Sequence, residues 1–144
     1  MMLTNVTAIE VRFVQPAAMR YDTVGDWQYI DRRLVITIAR PVGTPMVSPA
    51  LVAIHELLEA MFCDWHGVSQ ETVDAFDTSP ARKGSEYEDE PGLDPTAPYH
   101  WEHMSADLIE RTIAALIGLG WDIHDKTVAR MADAVHEAKE PDDE

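Results

Sequence analysis

His55 and Glu59 stand one helical turn apart in the stretch SPALVAIHELLEAMFCDWHG, residues 48–67, on a face that is otherwise mostly apolar. At i, i+4 spacing an imidazole and a carboxylate project side by side. Removing such groups from water is costly unless something satisfies them. Both are ligands for zinc or iron, so a single divalent cation would satisfy the pair. An ion held by protein needs a third ligand, and His103 in PYHWEH, residues 98–103, offers one from a second helix. Two imidazoles and one carboxylate around zinc, with iron as the other fit, leave a position open for water or substrate.

Glu56 adds a means of moving a proton. In the pattern H-E-x-x-H, two histidines hold zinc from one helix face and the Glu between them takes a proton from the attacking water. This chain reads His55-Glu56-Leu57-Leu58-Glu59, which puts a carboxylate at the second ligand position, a ligand zinc also accepts. Glu56 is then the general base. Asp74 and Asp77 are reserve ligands or acceptors for an imidazole N–H, and Tyr99 or His100 could stabilise a developing oxyanion. The plainer alternative is a hydrogen-bonded His55–Glu59 pair joined by Arg32, Arg33 or Arg40 in a metal-free polar network. His66 suits a helix C-terminus, His124 and His136 read as solvated, and Cys63 reads as a small buried hydrophobe.

The elements that must position these groups can be read around them. Ser48 is a suitable N-cap, Pro49 a suitable first residue and Gly67 a suitable left-handed stop for the first long helix. Its inward stripe is Leu51, Ile54, Leu58, Phe62 and Trp65. Upstream, residues 7–14 alternate Ala8, Glu10 and Arg12 with Ile9, Val11 and Phe13, the period of a strand with one wet face. Residues 27–39 read as a hairpin turning at Asp31-Arg32-Arg33. Downstream, Ser69 opens a short helix to Asp77, and residues 79–98 form an acidic loop that could be mobile and could cover the His55 face. Tyr99 to Leu119 is a helix with Ala106, Ile109, Ile113, Leu116 and Ile117 inward. Residues 121–139 form a last helix through Ile123, Val128, Met131 and Val135, before a solvated tail, 140–144. The expected fold is α+β in one domain over 1–144: a small antiparallel sheet in 1–47, the metal-site helix and short helix in 48–78, the loop, and two further helices.

Composition narrows the partners. With 11 Lys+Arg against 26 Asp+Glu the formal charge is -15, which argues against nucleic acid or an anionic membrane surface. Cations, basic proteins or no particular partner stay open, a protein or peptide partner among them. One cysteine allows no intrachain disulfide, and residues 1–14 resemble no export signal, so a cytoplasmic location is expected.

The order AIHELLEAMFCDWHG, VDAFD, PGLDP, APY and EH, over 26–118, resembles a group of small bacteriophage and prophage proteins with a VHEL-x-EA-like helix. The matching positions are His55, Glu56, Glu59, Asp74, Asp77, Tyr99, Glu102 and His103. The group carries no activity that could be transferred. Its helix is similar to the active helix of zincin-type metallopeptidases, from which this chain departs at Glu59. The resemblance implies a small phage-type protein in a bacterial host cytoplasm, of zincin-like character. The residues themselves, His55, Glu59 and His103 as ligands with Glu56 as base, point to metal-dependent hydrolysis of a peptide or amide bond. The alternatives are a non-enzymatic phage accessory or host-interaction protein, with a structural metal site or a metal-free network, and a redox iron site on the same ligands.

Overall fold

The computed structural model describes residues 2–140; the tail expected over 140–144 lies outside them from 141 onward. Three strands, β1 (Ala8–Val14), β2 (Gly25–Ile30) and β3 (Arg33–Ala39), precede four helices. These are α1 (Val47–His66), α2 (Gln70–Asp77), α3 (His100–Leu116) and α4 (Trp121–Lys139). The α+β class and the pattern of three longer helices and one short helix agree with the sequence.

The sheet is mixed rather than antiparallel. Its order is β1-β3-β2, with β1 parallel and β2 antiparallel to β3. The hairpin is as expected: Asp31 and Arg32 both have positive φ, 47° and 61°, the two left-handed residues of a tight turn whose twist matches the strands. The segment between β1 and β2 lays β2 at the far edge, so the returning strand fills the middle. β3 suits that place because Leu34, Val35, Ile36, Ile38 and Ala39 are apolar on both faces and all are buried.

Leu34, Ile36 and Ile38 pack with Val52, Ala53, Ala60 and Cys63 of α1 in the main core. Ile9, Val11 and Phe13 share that side of the sheet as register partners of the three β3 residues, yet they are 53%, 44% and 38% exposed. The strand's apolar face therefore stays wet, because α1 covers β2 and β3 and stops short of β1.

The helices are rotated relative to the expected stripes. In α1 the buried residues include His55, Glu59, Ala60 and Cys63, while Ile54, Leu58 and Phe62 are half-buried and Trp65 is exposed. Likewise α3 buries Glu102, His103, Ala106, Glu110 and Ala114 and leaves Leu116 and Ile117 exposed. In α4, Met131 and Val135 are buried as expected, but so is His124, and Ile123 is exposed. Three helices thus turn an imidazole or an acid into a common interior. Among the described residues, no helix is long and apolar enough to cross a membrane.

Candidate metal centre

His55 and Glu59 of α1 meet His103 of α3, and all three are buried. His55 Nε2 lies 3.2 Å from His103 Nδ1 and 3.4 Å from Glu59 Oε2, and His103 Nδ1 lies 2.9 Å from that same oxygen. The expected ligand set is therefore brought together in one triangle of donor atoms. Helix spacing supplies two corners, and the packing of α3 on α1 supplies the third.

What surrounds the triangle fixes its orientation. His55 Nδ1 is 2.9 Å from Glu110 Oε2, and His103 Nε2 is 3.2 Å from Glu90 Oε1. A carboxylate accepts, so each of these ring nitrogens carries the hydrogen and donates it outward. Glu59 Oε2 is a carboxylate oxygen as well, so His103 Nδ1 donates to it at 2.9 Å and that ring is protonated on both nitrogens. Only on loss of the inner protons would lone pairs of His55 Nε2 and His103 Nδ1 face this oxygen. Trp27 Nε1 donates to the other oxygen of Glu59 at 3.1 Å, which aims the carboxylate. Glu110 is held in turn by His124 Nε2 at 2.6 Å, and His124 Nδ1 is 2.9 Å from Ser48 Oγ.

The electrostatics centre on positive charge. Burial alone would raise the Glu59 pKa, but hydrogen bonds with His103 and His55 bring it down to about 2. Burial would depress His103, and hydrogen bonds with Glu59 and Glu90 reverse that, raising it to about 9. His55 is likewise held well above its ordinary value against burial, chiefly by hydrogen bonds with Glu110 and Glu59. Glu56 goes the opposite way from Glu59: burial, and then repulsion from the Glu59 carboxylate, push its pKa well above the usual carboxylate range. Its carboxyl group lies against Gly25, where an added Cβ would come within 2.6 Å of Oε1. Glu56 and the triangle line one cleft of about 1290 Å³.

The reserve residues have other partners. Asp77 accepts from the hydroxyls of Tyr99 and Tyr21, at 2.5 and 3.2 Å, and Asp74 is paired with Arg20 at 3.1 Å. Tyr99 is thereby engaged by Asp77, and His100 Nδ1 bonds the Gly92 carbonyl at 2.9 Å, so neither is set to stabilise an oxyanion. Glu102 is taken by His66 Nδ1 at 2.9 Å. Nor do the proposed arginines serve the site: Arg32 bonds the Asn5 carbonyl, Arg33 bonds Glu10 and Arg40 bonds the Thr44 carbonyl. Ser48 is not the N-cap, which is Met46, but a buried partner of His124, and His124 is only 1% exposed rather than solvated. A second triad, His55, Asp107 and Glu110, offers a single imidazole, and its Asp107 is already paired with Arg111 at 3.1 Å.

Sequence reasoning missed Glu110, His124, Glu90 and Trp27. Two of them left a signal. Glu110 lies seven residues after His103 and four after Ala106, and His124 lies seven before Met131, so each shares the buried face of its helix. Comparison with protein-family models, with curated proteins and with solved structures finds no match.

Proposed function

We propose that this protein binds one divalent cation, zinc or iron, through His55, Glu59 and His103, and that it is a metal-dependent hydrolase of zincin-like character acting on peptide or amide bonds. One observation carries the reading: two imidazole nitrogens and a carboxylate oxygen converge at 2.9–3.4 Å, with an outer carboxylate behind each imidazole. A tetrahedral ion with bonds of about 2.0–2.1 Å holds its ligand atoms roughly 3.3–3.4 Å apart, so the triangle is close to the required size. Outer carboxylates on the far ring nitrogens are the usual means of fixing metal-bound imidazoles.

A cation there supplies Lewis acidity toward water or a carbonyl. The chain supplies the rest. Once a cation displaces the inner protons, Glu110 and Glu90 would keep the outer ones and so hold each ring with a lone pair turned inward, while Trp27 keeps Glu59 aimed. Glu56 lines the same cleft with a carboxyl whose proton affinity is raised, the property a proton shuttle near neutral pH requires. A protein substrate suits the open cleft.

The raised proton affinities of His55 and His103 favour a second reading, a proton-bridged polar network in a non-enzymatic phage accessory or host-interaction protein. Zinc titration followed by calorimetry separates the two. Uptake of about one zinc per chain, abolished in His103→Ala, is expected. No uptake, with an unchanged melting temperature, would leave the proton network as the function of these residues.

A further inference from the structure

β1 forms the open edge of the sheet among the described residues. The Arg40 N–H donates to the Val14 carbonyl, so Val14 turns its backbone toward β3. The two-residue period and the unbroken register give Glu10 and Arg12 the same sense. The N–H and C=O groups of Ile9, Val11 and Phe13 therefore point away from the sheet, and the side chains of these three are its exposed apolar patch. Neither Pro, Lys nor a bulge blunts this edge, the devices that normally prevent pairing.

We propose that β1 pairs antiparallel with β1 of a second copy of this chain, about a two-fold axis through Val11. The strand AIEVRFV is self-complementary about that point. Val11 meets Val11, Ile9 of one copy meets Phe13 of the other, and Glu10 of one meets Arg12 of the other, twice by symmetry. Neighbouring registers fail. Moving the axis to Glu10 or Arg12 sets like charges face to face, and a one-residue slip sets the apolar face of one strand against the polar face of the other. Because the backbone of Val11 points outward, the central pair exchanges hydrogen bonds, which puts Glu10 and Arg12 in the closer, non-hydrogen-bonded positions. A chain of formal charge -15 repels its own copy over most surfaces, whereas β1 is locally neutral and Arg33, 3.0 Å from Glu10, adds a further positive group. The product is one six-stranded sheet, and an isologous contact of this kind closes at the dimer.

Sedimentation velocity of the full chain over a concentration series tests this. The expected species at tens of micromolar has twice the mass of one chain. Arg12→Glu places Glu opposite Glu and is expected to weaken the dimer at least about tenfold. Adding Glu10→Arg to that variant restores opposite charges and returns affinity to within about threefold of the original. Val11→Pro removes an N–H that points away from β3, so it breaks no bond within the sheet, and it is expected to give a monomer with unchanged far-ultraviolet circular dichroism. Should that variant lose its fold, the charge exchange alone decides. A chain that stays monomeric throughout the series, including one that takes a foreign strand on this edge instead, overturns the proposal, as does a dimer indifferent to Arg12→Glu.

Discussion

On the proposed reading, Glu56 is where metal binding and hydrolysis can be told apart. Its side chain lies against Gly25 and is not one of the three converging donors, so replacing its carboxylate by an amide leaves the triangle intact. In Glu56→Gln, zinc stoichiometry is expected to hold while hydrolysis of an unstructured protein substrate falls by roughly 10²–10⁴, the usual worth of a positioned base. Equal rates in the two proteins would remove Glu56 from the chemistry. Asp77 makes a separate prediction at this scale. Burial raises its pKa to about 6 from the ordinary 3.8, although Tyr99 and Tyr21 both donate to it. An acid with a raised folded pKa contributes stability that is full below its unfolded pKa and is lost as pH rises through the folded one. Relative to Asp77→Asn, the natural chain should therefore lose stability between about pH 4 and 6. Parallel denaturant curves for both proteins across that range would contradict the assignment.

At the scale of elements, the site depends on how closely backbone approaches side chain. The 3-10 turn Pro91–Leu93 presses Gly92 onto the ring of His103, leaving no room for a Cβ. Gly92→Ala therefore forces either the turn or the ring to move. Zinc affinity is expected to drop about 10- to 100-fold, the scale seen when the support of a metal-bound imidazole is lost, with helical content retained. A calorimetric titration in which Gly92→Ala binds zinc like the natural chain would show that the turn yields instead. The acidic loop 79–98, expected as a cover for the His55 face, does reach the site through Glu90, and Arg82 pins it by donating to the carbonyls of Asp77 and Tyr87.

Across the whole molecule, the triangle ties α1 to α3, and its outer partners extend the tie to β2 through Trp27 and to α4 through His124. A cation bound at the centre would engage folded chain alone, because no local segment holds His55, Glu59 and His103 together. Zinc at a hundredfold excess over its dissociation constant should add about 2.7 kcal/mol of stability, read as a rise of several degrees in Tm that a chelator reverses. A melting temperature insensitive to both additions counts against the site.

The chain by itself determined the local geometry. Ser69 and Gly67 mark helix ends, Asp31-Arg32 marks the hairpin, and the i, i+4 spacing puts His55 beside Glu59 whatever the rest of the fold does. Periodicity also identified the helix that carries His103. It did not tell which side of each helix would be interior, because α1, α3 and α4 have apolar residues around much of their circumference and packing chose the sides bearing His55, His103, Glu110 and His124. Nor did it give the parallel pairing of β1 with β3, since alternation along a strand records its faces and not its neighbours. Trp27 meets Glu59 across 32 positions and Glu110 meets His55 across 55, while Glu90 enters from the loop before α3. Such contacts depend on the packing of whole elements, and only the tertiary structure decided them.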